Sequence, residues 1–304
     1  MALQIPDKML AAQVVKFKKP YKIHEVPTGG KDLNEQVILA KIAVASLCHT
    51  DGMVSEGIMG TKLPGVASHE GAGTVVKVGI AIKEFKVRDR VLCSLTYHRC
   101  GEYADCQGPE QDRQYCANVG GYLGVTIDGS FAEYAVVDGR ECCMLPDNLN
   151  FQSAAPLACA GITVWGCLEN IVEEVKKTTD RKLANATLDV SDHESAAATS
   201  AATKMHGVLV QIAQPTNVSV PFEELIFRDT RIHGSLTSSR GECQEMLKVA
   251  SKNKICVKTN PFNGIKEIPK DVELAHSGRM QGKPVIIIDN EAIQNEKKSG
   301  LEMV

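Results

Sequence analysis

Glycine divides this chain before any motif is read. The 304 residues include 25 glycines, yet none falls between Cys167 and His206. Glycine supplies left-handed turns and close backbone approaches, so this interval has to be built from helix, strand and turns of other kinds. N-terminal to it, glycines punctuate short apolar runs: AAQVVKF, EQVILAKIAVAS, GAGTVVKVG, DRVLCSL and GSFAEYAVV. Runs of this length and spacing predict an irregular β-barrel over residues 1–152. Residues 153–255 change character. Helical stretches near 153–178 and 193–205 alternate with the strands ATLDV (186–190), GVLVQIA (207–213) and RIHGSL (231–236), a pattern that predicts parallel βαβ packing. Residues 256–304 read as a C-terminal segment with one amphipathic helix, a final strand and a polar, frayed tail after Asp289.

Composition narrows the possible partners. With 43% hydrophobic and 23% charged residues, the chain has material for a substantial core and about two domains. A net charge of −3 and a pI near 6.3, with basic residues interleaved among acids, give no footprint for nucleic acid. The aliphatic run VIII at 285–288 is far too short to span a bilayer, and the first residues, MALQIPDKMLAAQVVKFKKP, lack an apolar signal core. The expectation is a cytoplasmic protein with no membrane partner. Its 11 cysteines, odd in number and unevenly placed, suit reduced thiols and metal ligands better than a disulfide framework.

The chemistry gathers in SLCHTDG (46–52), SHEGAG (68–73) and APLACAG (155–161). Cys48, His69 and Cys159 form a thiolate, imidazole, thiolate set, which suits Zn²⁺ when three protein ligands leave a fourth position open. Glu70, next to His69, is placed to close that position or to exchange into it. Spacing alone leaves Cys48 equally readable as a buried small apolar residue and His69 as a satisfied core histidine.

CHTD, HEGAG, DGSFAEYAVVD and APLACAGITVW, in this order, resemble the zinc-dependent alcohol dehydrogenases of the medium-chain dehydrogenase/reductase superfamily, in the fungal and bacterial branch. The resemblance covers residues 10–168 and resumes from about 183 to 290 with HGVLVQIAQP, FRDTRIHGSL and VKTNPFNGIKEIPK. It implies a GroES-like irregular β-barrel catalytic domain joined to a Rossmann-like parallel-sheet domain, an α/β plus β fold. It further implies that Cys48, His69 and Cys159 hold a catalytic zinc beside Glu70, and that the metal polarises a substrate oxygen. Thr50 would bond the alcohol and begin a proton relay. His49 would continue that relay or lie near cofactor phosphates, and Asp51 would orient a ligating imidazole. Thr163, Ile212 and Leu236 would face the nicotinamide end of NAD(H), with Lys283 near its phosphate.

Two departures from the family pattern stand out. The structural zinc of these enzymes takes four cysteines, C-x-x-C-x-x-C and a fourth about eight residues on; this chain reads RCGEYADCQGPEQDRQYC. Cys100, Cys106 and Cys116 match three of the positions, but Tyr103 fills the second, and a phenol does not replace a structural thiolate. His98 and Cys93 are the nearest substitutes.

The larger departure is the glycine-free interval. A Rossmann fold receives pyrophosphate at a G-x-G-x-x-G turn between strand and helix. GAGTVVKVG is no such turn: Val76 stands in place of the third glycine, and the segment reads as a turn of the barrel. The strand, fingerprint, second strand and ribose carboxylate, about two βα units, are absent between APLACAG and ATLDV, which leaves a truncated cofactor domain and no basis for high-affinity NAD(H) binding. Two activities fit: an alcohol dehydrogenase-like oxidoreductase acting on an alcohol/aldehyde or ketone with impaired or altered NAD(H) binding, and a non-redox protein using zinc as a Lewis acid (lyase, isomerase or cyclase) or a non-catalytic pseudo-dehydrogenase. A homo-oligomer, dimer or tetramer, is expected because removal of central units exposes sheet edges.

Overall fold

A computed structural model of the chain describes residues 4–30, 33–165, 184–190, 195–277 and 279–301. The backbone divides into two compact units, one made of residues 1–160 with 239–304 and the other of residues 161–238.

The first unit is organised around one long strand. Its opening strands are β1 (Lys8–Val14), β2 (Lys22–Pro27) and β3 (Val37–Ser46). Nine of the ten β3 residues in VILAKIAVAS are buried, so β3 reads as an apolar run and not as an alternating surface strand. The short helix α1 (His49–Glu56) follows, then β4 (Gly65–Val66), β5 (Glu70–Val78), β6 (Arg90–Leu92), β7 (Thr96–Tyr97), α2 (Ala104–Gln107), β8 (Gly121–Tyr122), β9 (Tyr134–Asp138), β10 (Cys143–Met144) and α3 (Phe151–Pro156).

β5 lies antiparallel along β3, with Ser46 opposite Glu70. The segment expected to be a barrel turn, GAGTVVKVG, is therefore strand. Its glycines serve packing: a Cβ on Gly73 would fall 2.1 Å from the Lys41 carbonyl oxygen of β3. Strand pairing, not phosphate binding, accounts for the residue.

In the second unit α4 (Ser195–Ala202) follows β11 (Ala184–Asp189), and β12 (Thr203–Gln211), α5 (Phe222–Ile226) and β13 (Arg231–Gly234) complete it. The three strands form a parallel sheet in the order β11-β12-β13, as the alternation of helices and strands predicts. Its apolar cluster is small: Val208 and Val210 are buried, with Ala186, Leu188 and Ile212 packed on them. Most of the helical stretch expected near 153–178, from residue 166 on, lies outside the described residues.

The chain then returns to the first unit as α6 (Arg240–Lys252), β14 (Thr259–Asn263), α7 (Ile268–His276), β15 (Lys283–Ile287) and α8 (Asn290–Lys298). This return shifts the boundary expected at residue 255. Helix α6 belongs to the first unit because it buries Cys243, Met246, Leu247 and Ala250 at helical spacing there. Arg240 Nε also donates to the Cys142 carbonyl, and the Gly241 N–H donates to Glu110.

β15 adds antiparallel to the second half of β3, pairing Val285 with Ser46, while β9 occupies the first half. One edge of β3 thus serves two partners in succession. The tail expected to fray is helix α8: Asp289 caps it by accepting from the Glu291 and Ala292 N–H groups. Glu296 of α8, 6% exposed, accepts from Arg90 and from the Phe151 N–H, which ties the tail to the core.

Candidate metal centre

Three separate elements deliver the candidate ligands. Cys48 is the N-cap of α1 at the end of β3, and His69 and Glu70 enter β5. Cys159 sits in a π-helical turn, Leu157–Gly161, directly after α3, a widening of the helix common at functional sites. Helix α3 packs on β3, β5 and β15, which carries that turn to the strand ends. One ligand atom from each of Cys48, His69, Glu70 and Cys159 lies within 4.8 Å of every other.

The surrounding bonds aim this set. Asp51, fully buried, accepts from the N–H of Cys48 with one carboxylate oxygen and from the N–H of Ser68 with the other, both at 2.8 Å. It thereby clamps together the two backbone segments that carry Cys48 and His69. Ser68 has a φ of +68°, uncommon for a residue with a side chain; its hydroxyl donates to the Ser46 carbonyl at 2.9 Å, which helps hold that conformation. Gly129 lies so close that a Cβ there would meet the Ser68 carbonyl oxygen at 2.2 Å. Lys283, at the start of β15, pairs with Glu70 at 3.0 Å, and the Ala160 N–H donates to the same carboxylate at 3.2 Å. The Thr50 hydroxyl accepts from Cys48 Sγ at 3.8 Å, while His49 is exposed at the start of α1.

Burial and mutual charge perturb every titratable group in the cluster. Its hydrogen bond with Cys159 drives the Cys48 thiol down to about 2 against burial, with help from His69, and the same bond pushes Cys159 up. Burial opposes a charge on His69, but its hydrogen bond with Cys48 and the nearby Asp51 carry it up to about 9. Burial lifts Glu70 to about 7, with Lys283 opposing, and lifts Asp51 to about 6, with His69 opposing. Lys283 offsets Glu70, and a charged His69 stands against the Cys48 thiolate while Cys159 keeps its proton. A divalent cation would let both thiols ionise and leave His69 neutral. His69 Nδ1 is buried with no hydrogen-bond partner, the kind of orphaned atom that calls for an explanation. The donor set fits zinc.

The second cysteine group lies on the surface of the same unit. Cys100 Sγ is 3.6 Å from Cys116 Sγ and 3.8 Å from Cys106 Sγ. Neither expected substitute joins them. His98 Nδ1 is engaged by Arg140 at 3.0 Å and Asp138 at 3.1 Å. Cys93 is buried in the barrel core near Gly71, where burial pushes its thiol up to about 12.

Comparison with known proteins places these features. Residues 34–147 match the alcohol dehydrogenase GroES-like domain. An alcohol dehydrogenase of Geobacillus stearothermophilus is 26% identical over 348 residues, an alignment that takes in 92% of this chain and all of that enzyme. Residues 34–147 thus carry an alcohol dehydrogenase GroES-like domain, and the chain is similar to alcohol dehydrogenases over most of its length. An alignment longer than this chain has to step over residues of the bacterial relative, in keeping with a shortened cofactor half. An alcohol dehydrogenase of Schizosaccharomyces pombe is 33% identical over 171 residues, 55% of this chain and 47% of that enzyme. The crystal structure of an alcohol dehydrogenase from Aeropyrum pernix superposes with a TM-score of 0.79 over 91% of this chain and 99% of that one, at 22% identity; this likeness supports the α/β fold, a GroES-like domain with a Rossmann-type one.

The alcohol dehydrogenase frame separates what is assembled here from what is not. Thr163, Ile212 and Leu236 belong to the second unit. There Ile212 packs on the small apolar cluster and Leu236 is 41% exposed. The sequence between β11 and α4, like all of residues 167–206, contains no glycine, so no G-x-G-x-x-G motif lies there. Among the described residues, no helix is long and apolar enough to cross a membrane.

Sequence reasoning missed several residues around the candidate metal centre. Ser46 and Ser68 are ordinary strand and turn residues until the hydrogen bonds between strands are seen. Asp271 of α7 is fully buried near Asp51, and burial lifts its carboxyl to about 7; only the packing of α7 puts the two acids in reach. Lys283 was expected near a phosphate, and its ion pair with Glu70 is legible only from the β15–β3–β5 register.

Proposed function

We propose that this chain is a zinc-dependent, alcohol dehydrogenase-like oxidoreductase acting on a small alcohol, aldehyde or ketone, with impaired NAD(H) binding. The observation that carries the reading is the convergence of Cys48, His69, Glu70 and Cys159 within 4.8 Å, in a chain similar to alcohol dehydrogenases. Cys48, His69 and Cys159 would hold the ion and Glu70 would be the exchangeable fourth donor. Bound there, zinc supplies a Lewis acid that polarises a substrate oxygen.

The remaining work falls to side chains. Asp51 keeps the Cys48 and Ser68 backbones together and so holds the ligand geometry. Lys283 balances Glu70 and sets how readily that carboxylate leaves the cluster. The Thr50 hydroxyl, beside Cys48, would hold the substrate proton and pass it to the exposed His49. A homo-oligomer in the cytoplasm belongs to the same reading; for the oligomer the support is the parallel sheet of the second unit, which among the described residues has three strands and two edges.

The glycine-free interval favours a second reading, in which the same pocket polarises a carbonyl without hydride transfer. Calorimetric titration with NADH and NADPH, with zinc measured on the same sample, separates the two. The oxidoreductase reading expects saturable but weak binding and alcohol-dependent NAD⁺ reduction at high cofactor concentration. Zinc without any dinucleotide binding would leave the Lewis-acid reading, and absence of both would end the two together.

A further inference from the structure

One cleft of the first unit belongs neither to the metal centre nor to the lobe of Cys100, Cys106 and Cys116. Its volume is about 270 Å³; three cations, Lys83, Arg140 and Arg240, and one carboxylate, Glu84, line it over a floor of Ala81, Ile82 and Gly139. We propose that this cleft binds a phosphoryl dianion, either free phosphate or the phosphate of a small monoester.

Charge carries the first part of the argument. The chain as a whole has a net charge of −3, yet three cations from separate segments meet here. Lys83 lies on the loop after β5, Arg140 on the turn between β9 and β10, and Arg240 opens α6. Counting the buried Asp138 behind Arg140 as well as Glu84, three positive groups still face two negative ones. A cleft with a surplus of one sign draws counter-ions from solution.

The guanidinium groups are held in place and keep unengaged donors. Arg140 donates from Nε to Asp138 Oδ1 at 3.0 Å and from Nη2 to Asp138 Oδ2 at 2.6 Å. Arg240 donates from Nε to the Cys142 carbonyl at 2.8 Å and from Nη2 to Glu84. Among the described residues, Nη1 of neither arginine makes a hydrogen bond, and Lys83 Nζ donates only to the Ile80 carbonyl at 3.1 Å. A guanidinium already fixed in position loses little freedom on taking an oxyanion, and such charge-assisted bonds are strong.

The form of the cleft selects among anions. A phosphoryl group offers three acceptor oxygens out of one plane, which suits donors from three segments better than the two coplanar oxygens of a carboxylate. Glu84 already fills a carboxylate's place against Arg240; its side chain is 62% exposed, so an entering dianion displaces it into solvent at little cost. Gly139 keeps the floor low, because a Cβ there would lie 2.9 Å from Ile82 Cδ1. The volume suits a small molecule at the lower end of ligand sites.

Calorimetric titration of the full chain with phenyl phosphate, inorganic phosphate and succinate tests the proposal. Saturable binding of phenyl phosphate is expected, weakened at least about tenfold by Arg240→Gln and about threefold by Lys83→Gln, and tightened about threefold by Glu84→Gln. Lys83 and Glu84 are exposed, so the last two variants keep the fold, and their opposite signs separate a charge effect from a structural one. Phenyl phosphate at least about fivefold tighter than inorganic phosphate identifies a monoester resting on the apolar floor; equal affinity identifies free phosphate. Succinate binding as tightly as either phosphate overturns the phosphoryl assignment. Affinity unchanged by both Lys83→Gln and Glu84→Gln, or no saturable binding at about 10 mM, overturns the site itself.

Discussion

The two cysteine clusters of this molecule bring similar atoms together by opposite means. Cys48, His69, Glu70 and Cys159 come from the end of β3, the start of β5 and the π turn after α3, and their spacing exists only because those elements pack. Around them Asp51, Ser68 and Lys283 hold the backbone and balance the charge. Cys100, Cys106 and Cys116 come from one short stretch of chain with short, exposed turns between them. A site assembled from distant elements is preorganised by the whole barrel, which supplies its rigidity before any ion arrives. A site assembled locally depends on the ion for much of its own order. The contrast predicts that the first cluster is sensitive to changes in its supports, and that the second is sensitive mainly to changes in its own thiols.

Losing a ligand of the first cluster gives the largest expected effect. Cys159→Ser should lower zinc affinity there by more than about 100-fold, beyond what loss of a supporting residue does, while the lobe cysteines stay as reactive to alkylation as before. Metal analysis and chelator competition read this directly, and an unchanged zinc load would remove Cys159 from the ligand set.

A support comes next. Asp51→Asn turns one acceptor oxygen into a donor facing a backbone N–H of Cys48 or Ser68. It should cost about 1–3 kcal/mol of stability in thermal or denaturant unfolding and about 10–100-fold in zinc affinity. If that variant matches the unmodified chain in both, the first cluster does not depend on preorganisation and the contrast between the two sites collapses. Tyr103→Phe gives the smallest effect. Tyr103 is 46% exposed, so zinc content should not change and stability should stay within about 0.5 kcal/mol. Loss of a zinc in this variant would make the phenol a ligand and the lobe a closed site.

Much of this arrangement is legible in the residues. The apolar run of β3, the parallel strands β11, β12 and β13, and the gathering of Cys48, His69, Glu70 and Cys159 follow from local pattern and family resemblance. What escapes is whatever depends on pairing between distant segments. GAGTVVKVG carries turn-like glycines, but they exist for the close approach of β5 to β3, as the Lys41 carbonyl beside Gly73 shows. The polar tail after Asp289 looks unanchored until Glu296 is seen accepting from Arg90 and the Phe151 N–H. Helix α6 follows the second unit in sequence and packs in the first, because its buried face of Cys243, Met246, Leu247 and Ala250 says that it needs a core without saying which one.

The sequence by itself determined the donor chemistry: which thiols, imidazole and carboxylate are available, which lobe position holds a phenol, and that no glycine lies between Cys167 and His206. These are covalent facts, and folding does not alter them. Tertiary structure alone decided that Asp51 spends both oxygens on backbone N–H groups, that Lys283 meets Glu70 across β15, β3 and β5, and that Asp271 lies buried near Asp51. Each of those contacts joins residues whose proximity is set by strand register and helix packing, and neither is written in the local pattern of either partner.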